Sequence, residues 1–85
     1  VPRLKADRIV WRQIGDEVVV LDLRSSRYLS ANAAAGLLWH GLERGATRDE
    51  LIAELVAEYD VAPATAGADV DEFLADCRSR DLLED

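Results

Sequence analysis

Eighty-five residues, 49% of them hydrophobic and carrying a formal net charge of −7, describe one small globular domain (1–85) rather than a disordered chain. Seventeen acidic residues against ten basic ones argue against nucleic acid as a first choice of partner, because nonspecific affinity for phosphate backbones comes from Lys and Arg. One cysteine excludes a disulfide framework and fits the reducing cytoplasm, no apolar run approaches the roughly 20 residues of a membrane span, and Val1-Pro2-Arg3-Leu4-Lys5 lacks the apolar core of a signal peptide.

Residues 1–8 read as a loosely held lead-in. Ile9 to Ile14 then reads as a first strand and Gly15-Asp16 as a tight turn. Alternation sets Ile9, Trp11 and Gln13 against Val10, Arg12 and Ile14. Neither set is cleanly polar, so both faces are expected to be partly covered, with Trp11 in the core. Val18-Val19-Val20-Leu21 suits a pleated strand better than a helix. Arg24-Ser25-Ser26-Arg27 is a turn signal, and Arg27-Tyr28-Leu29 is a very short return arm. A two-residue loop at Ser25-Ser26 pairs Leu23 with Tyr28. A three-residue loop from Arg24 to Ser26 pairs Leu23 with Arg27 and Leu21 with Leu29. The second register is favoured, because it gathers Leu21, Leu23 and Leu29 on the core side and points Tyr28 elsewhere.

A first helix is expected from about Ala31 to Glu43, capped by Ser30 or Asn32. Ala34, Leu37, Leu38 and Leu42 make its apolar face, widened by Trp39, and Gly45 suits a left-handed C′ position. Thr47 and Glu50 form a capping box for a second helix reaching Tyr59, with Leu51, Ile52, Leu55, Val56 and Tyr59 as its inner stripe. A third helix starts either at Pro63 or near Asp69, where Glu72 completes another box. It carries Ala66, Val70, Phe73, Leu74 and Cys77 on its apolar arc, and Leu82-Leu83 are expected to pack back across the helices. Three strands followed by three helices give an α+β chain of winged helix-turn-helix-like type.

The residues offer no catalytic constellation, metal-ligand cluster or phosphate loop, and so imply no cofactor. Cys77 reads as a buried structural thiol and His40, the one histidine, as a packing or surface residue. The acidic positions Asp69, Asp71, Glu72, Asp76, Asp81, Glu84 and Asp85 read as a solvated face able to meet a basic partner segment. What stands out is the third strand. With Ser30 already starting a helix, no further strand is left to pair with it, so either its edge is open or the N-terminal segment or a second copy of the chain covers it. An unpaired edge beside an apolar helix is a docking site for an extended peptide. Because Val70, Phe73, Leu74 and Cys77 span a broad arc, only one or two of them are expected to point fully inward, leaving the rest to border that groove.

The ordered series Val19-Val20-Leu21-Asp22-Leu23-Arg24-Ser25-Ser26-Arg27-Tyr28-Leu29-Ser30-Ala31-Asn32, then Ala35-Gly36-Leu37-Leu38-Trp39, Gly45 to Leu51 up to Tyr59, Asp69 to Leu74 and Leu82-Leu83 resembles the PqqD-like family over about residues 9–83. Cys77 stands where that family usually has Leu, and Asp81 where it often has Gly. Free-standing members bind leader peptides in lasso-peptide biosynthesis, as precursor-peptide recognition elements. The resemblance implies a non-enzymatic protein that adds a leader as an antiparallel strand to strand three and presents it to a leader peptidase of cysteine-protease type and a cyclase. It points to Ser26, Arg27, Tyr28 and Leu29 along the strand, Val70, Phe73 and Cys77 across the groove, and Asp69 and Asp76 flanking it. The alternatives are a winged-helix DNA-binding or transcription-regulating domain, which requires a basic second or third helix, and a module that dimerises through strand three.

Overall fold

A two-residue hairpin loop fixes the first strand pair. In the computed structural model, which describes residues 2–84, β1 (Ile9–Ile14) and β2 (Glu17–Asp22) close with Ile14 opposite Glu17. Gly15 takes φ 60°, the positive value that the primed turns require at their first position. β3 (Arg27–Ala31) pairs with the other side of β2, giving an antiparallel sheet of order β1-β2-β3.

Both registers expected for the second hairpin are wrong. Asp22 pairs with Arg27, Leu21 with Tyr28 and Val20 with Leu29, so the loop holds four residues, Leu23 to Ser26. The reason is Asp22. Its carboxylate accepts from the Arg24 amide at 3.0 Å and from Ser25 Oγ at 3.1 Å. Its carbonyl accepts from the Ser26 amide at 2.8 Å, with Ser26 at φ 57°. The Arg24 amide is the main reason this carboxyl titrates below the usual range. The core face therefore carries Val18, Val20, Asp22 and Ala31, with Leu29 half-buried, whereas Leu21 shares the outer face with Tyr28 and Leu23 lies exposed in the loop. Tyr28 does point away from the core, as expected.

The outer side of β1 is open to solvent, contrary to the expectation that both its faces are partly covered: Val10, Arg12 and Ile14 are all exposed, as is Tyr28 on β3, while Val19 and Leu21 between them are half-buried. Trp11 is half-buried at the rim. Its indole N–H donates to Glu43 Oε1 at 2.9 Å, and its ring meets His40 edge-on at 5.1 Å. His40 Nε2 in turn lies 2.6 Å from Gln13 Oε1, so this histidine braces strand to helix.

Ser30 remains in β3 and Asn32 is the N-cap of α1 (Ala33–Glu43), its Oδ1 accepting from the Ala35 amide at 2.9 Å. Gly45, at φ 82°, ends that helix. α2 (Arg48–Tyr59) opens with the Thr47–Glu50 capping box and closes at Asp60, left-handed at φ 52°. Leu51 and Leu55 are its buried residues, while Tyr59 turns out exposed. α3 (Pro63–Ser79) begins at its proline and leaves the Asp69 start unused. Three of its four large apolar positions point inward, more than expected: Val70, Leu74 and Cys77 are buried and Phe73 is half-buried.

The lead-in is not loose. Leu4 forms an antiparallel bridge with Leu83, the Lys5 amide donates to Leu82 O at 2.9 Å, and the Glu84 amide donates to Arg3 O at 2.8 Å. A short 3-10 turn, Ala6–Arg8, then delivers Arg8 to Asp81. Three cations converge on the Asp81 carboxylate: Lys5 at 2.5 Å, Arg8 at 3.2 Å and Arg24 at 2.9 Å. Those contacts, led by the Lys5 hydrogen bond, push its pKa down to about 2. Val1 and Asp85, counted above in the lead-in and the acidic tail, lie outside the described residues.

Candidate peptide-docking groove

Which amides of β3 face outward follows from one bond on the far side of β2. The Leu23 amide donates to Arg8 O at 2.8 Å, continuing the β1–β2 ladder, so residue 23 bonds towards β1. Backbone groups alternate sides along a strand, and residues 22, 20 and 18 therefore bond towards β3, to Arg27, Leu29 and Ala31. The N–H and C=O groups of Tyr28 and Ser30 are left pointing off the free edge. That makes two donors and two acceptors in a row, on the strand that ends the sheet.

Facing this edge is α3. Between them lies a hollow of about 510 Å³, and a second of about 650 Å³ lies between α1 and α3; Asp76 and Ser79 line both and join them. The one at the hairpin end is walled by Val20, Arg27, Leu29, Asp76 and Arg80, among others. The one at the α1 end is walled by Ala34, Ala35 and Leu38 of α1 and by Asp69, Phe73 and Asp76 of α3. Side-chain direction follows the strand alternation: Arg27, Leu29 and Ala31 point to the side of α3, and Tyr28 and Ser30 to the outer face.

Arg27, Tyr28, Leu29, Asp69, Phe73 and Asp76 thus come together along one groove. Three other expected residues do not line it. Val70 and Cys77 are 0% and 1% exposed, so they support the wall from behind. Burial is also what lifts the Cys77 thiol to a pKa of about 12, far from a nucleophile's range. Ser26 spends its amide on the Asp22 carbonyl. Conversely, the edge amide of Ser30 and the α1 contribution of Ala34, Ala35 and Leu38 were missed. Reading Ser30 as a helix cap hid both, although Asn32 three residues before Ala35 is the better cap signal. Among the described residues, no group of three or more His, Cys, Asp or Glu side chains is placed to hold a metal ion.

An open-edged sheet facing a helix across a groove, on a chain of three strands and three helices, makes this a winged helix-turn-helix-like domain. The chain belongs to the PqqD family: residues 17–83 match the family described as coenzyme PQQ synthesis protein D. Two solved structures are similar over nearly their whole length. The chain is 33% identical to the one described as TbiB1 in complex with the TbiA(beta) leader peptide, with a TM-score of 0.90, covering 96% of this chain and 94% of that one. It is 25% identical to lasso peptide synthetase B1 complexed with the leader peptide, with a TM-score of 0.87, covering 99% and 98%. No curated protein matches.

Proposed function

We propose that this chain binds the leader segment of a ribosomally made precursor peptide, in lasso-peptide biosynthesis, by adding it as an antiparallel strand to β3. The observation that carries the reading is the pair of outward-facing backbones at Tyr28 and Ser30, on the strand that walls the hairpin-end hollow, which continues past Asp76 and Ser79 to the half-buried Phe73. The two similar structures, each holding a leader peptide, support the choice of guest. Four backbone bonds contribute about 0.5–1.5 kcal/mol each. Association costs at least about 4 kcal/mol in lost freedom. The ladder alone therefore gives weak binding, and an apolar anchor worth about 2–4 kcal/mol is what makes it specific.

The chain itself performs no chemistry in this reading. It holds the precursor in the cytoplasm for separate enzymes, a leader peptidase of cysteine-protease type and a cyclase. No helix among the described residues is long and apolar enough to cross a membrane. The DNA-binding alternative has little to stand on, since α3 displays Asp69, Asp71, Glu72 and Asp76 where a recognition helix needs Arg and Lys.

Amide hydrogen exchange on the chain, with and without the leader of the precursor peptide encoded beside it, tests the proposal. Slowed exchange at Tyr28 and Ser30 is expected. Tight binding with unchanged exchange at both would overturn strand addition.

A further inference from the structure

We infer that the groove carries a carboxylate-binding subsite at its hairpin end, so that it selects a guest by the order of its charges as well as by its apolar side chains. The inference rests on the strand-addition reading above. In a chain of net charge −7, the hairpin end of the groove gathers Arg24, Arg27 and Arg80. Its three carboxylates are already engaged: Asp22 by the hairpin loop, Asp76 by Arg80 at 3.1 Å, and Asp81 by Arg24 and, from behind, by Lys5 and Arg8. Arg27 has no carboxylate partner among the described residues, and its position in the strand turns it to the groove side. The Arg24–Asp81 and Arg80–Asp76 pairs are solvent-exposed, a kind of pair that holds weakly and yields to a better-placed acid.

The other end is the opposite. Asp69 and Glu72 line the α1 hollow with no cation beside them in its wall. β3 runs from the hairpin end towards α1, so an antiparallel guest lies with its C-terminal part at the arginines and its N-terminal part at Asp69 and Glu72. The five residues of β3, at about 3.4 Å each, separate the two ends by about 17 Å. The matching guest carries Lys or Arg first and Asp or Glu about four or five residues later.

A displayed library of random sixteen-residue peptides, selected on the full chain and on an Arg27→Glu/Arg80→Glu variant checked for folding by circular dichroism, tests this. The wild type is expected to enrich peptides with that cation-then-acid order. The variant is expected to lose the acid preference and to bind the wild-type winners about tenfold more weakly. Peptides that bind and protect Tyr28 and Ser30 from exchange, yet show no charge order or the same order on both proteins, would overturn the subsite and leave strand addition standing. A selection that enriches nothing on either protein would overturn both.

Discussion

Asp22 and Arg27 stand opposite one another in the sheet, but the carboxylate does not serve the arginine. It is turned back into the loop, onto the Arg24 amide and Ser25 Oγ. That choice sets the four-residue loop, places Val20 against Leu29, and sends the backbone of Tyr28 to the free edge. It also leaves the guanidinium of Arg27 without a carboxylate partner among the described residues. One side chain thus fixes both the register and the character of the groove's end.

The alternation along β3 separates two proline substitutions that sequence alone would treat alike. Tyr28→Pro removes a donor that faces off the sheet, so the fold should persist while leader affinity falls about 2- to 12-fold, the equivalent of one net hydrogen bond. Leu29→Pro removes a donor to β2 and should cost about 1–3 kcal/mol of stability by leaving the Val20 carbonyl unpaired. Melting curves and leader titrations on the two variants check the contrast. The reverse contrast, with stability lost in Tyr28→Pro and kept in Leu29→Pro, would mean the ladder has the other phase.

Phe73 is the half-buried member of an otherwise buried row on α3. Phe73→Ala should weaken leader binding by about 30-fold or more, the loss of one well-filled anchor. Its stability cost should stay below the roughly 3–5 kcal/mol of a fully buried Phe. Isothermal titration together with denaturant unfolding reads both effects. Wild-type affinity in the variant would remove Phe73 from the groove's function.

Cys77 is 1% exposed, and burial raises its pKa to about 12. The folded protein at pH 8 should therefore react with iodoacetamide only through opening of the fold. Labelling followed by mass spectrometry should be slow in buffer and complete in denaturant. The raised value also means that the thiol's part in stability is present below about pH 9 and is lost as pH climbs towards 12.

Asp81 behaves the other way. Its pKa is depressed from 3.8 to about 2 by Lys5, Arg8 and Arg24, so its contribution is present above about pH 4 and is lost as pH falls towards 2. Unfolding midpoints measured from pH 5 to pH 2 should drop for the wild type. They should drop less steeply in Asp81→Asn, while Asp22, Glu50 and Asp71, all titrating low for related reasons, keep part of the slope. An unchanged slope in the variant would show that the three cations do not hold this carboxylate.

Local chemistry was readable where one or two neighbouring residues decide the outcome. The Thr47–Glu50 box, the Gly15 turn, the Gly45 cap and the Pro63 start belong to this kind, and all four appear in the structure. The strand–groove–helix arrangement was readable too, because a short third arm and an apolar third helix have few other uses. The hairpin register was not. It depends on Asp22 reaching forward over two and three residues, and Val20 and Leu21 satisfy a strand pattern equally well in either phase. The clasp at Asp81 was also hidden, because it joins residues 5, 8, 24 and 81, and no periodicity links positions so far apart.

The bridge between Leu4 and Leu83 has a practical corollary. Residues 4 and 83 lie side by side, so a fold of this kind can be spliced between two segments of a larger protein without prising them apart, or tethered to one by a brief connector. A tether of that kind would keep a captured peptide at a local concentration on the order of millimolar near whatever it is joined to.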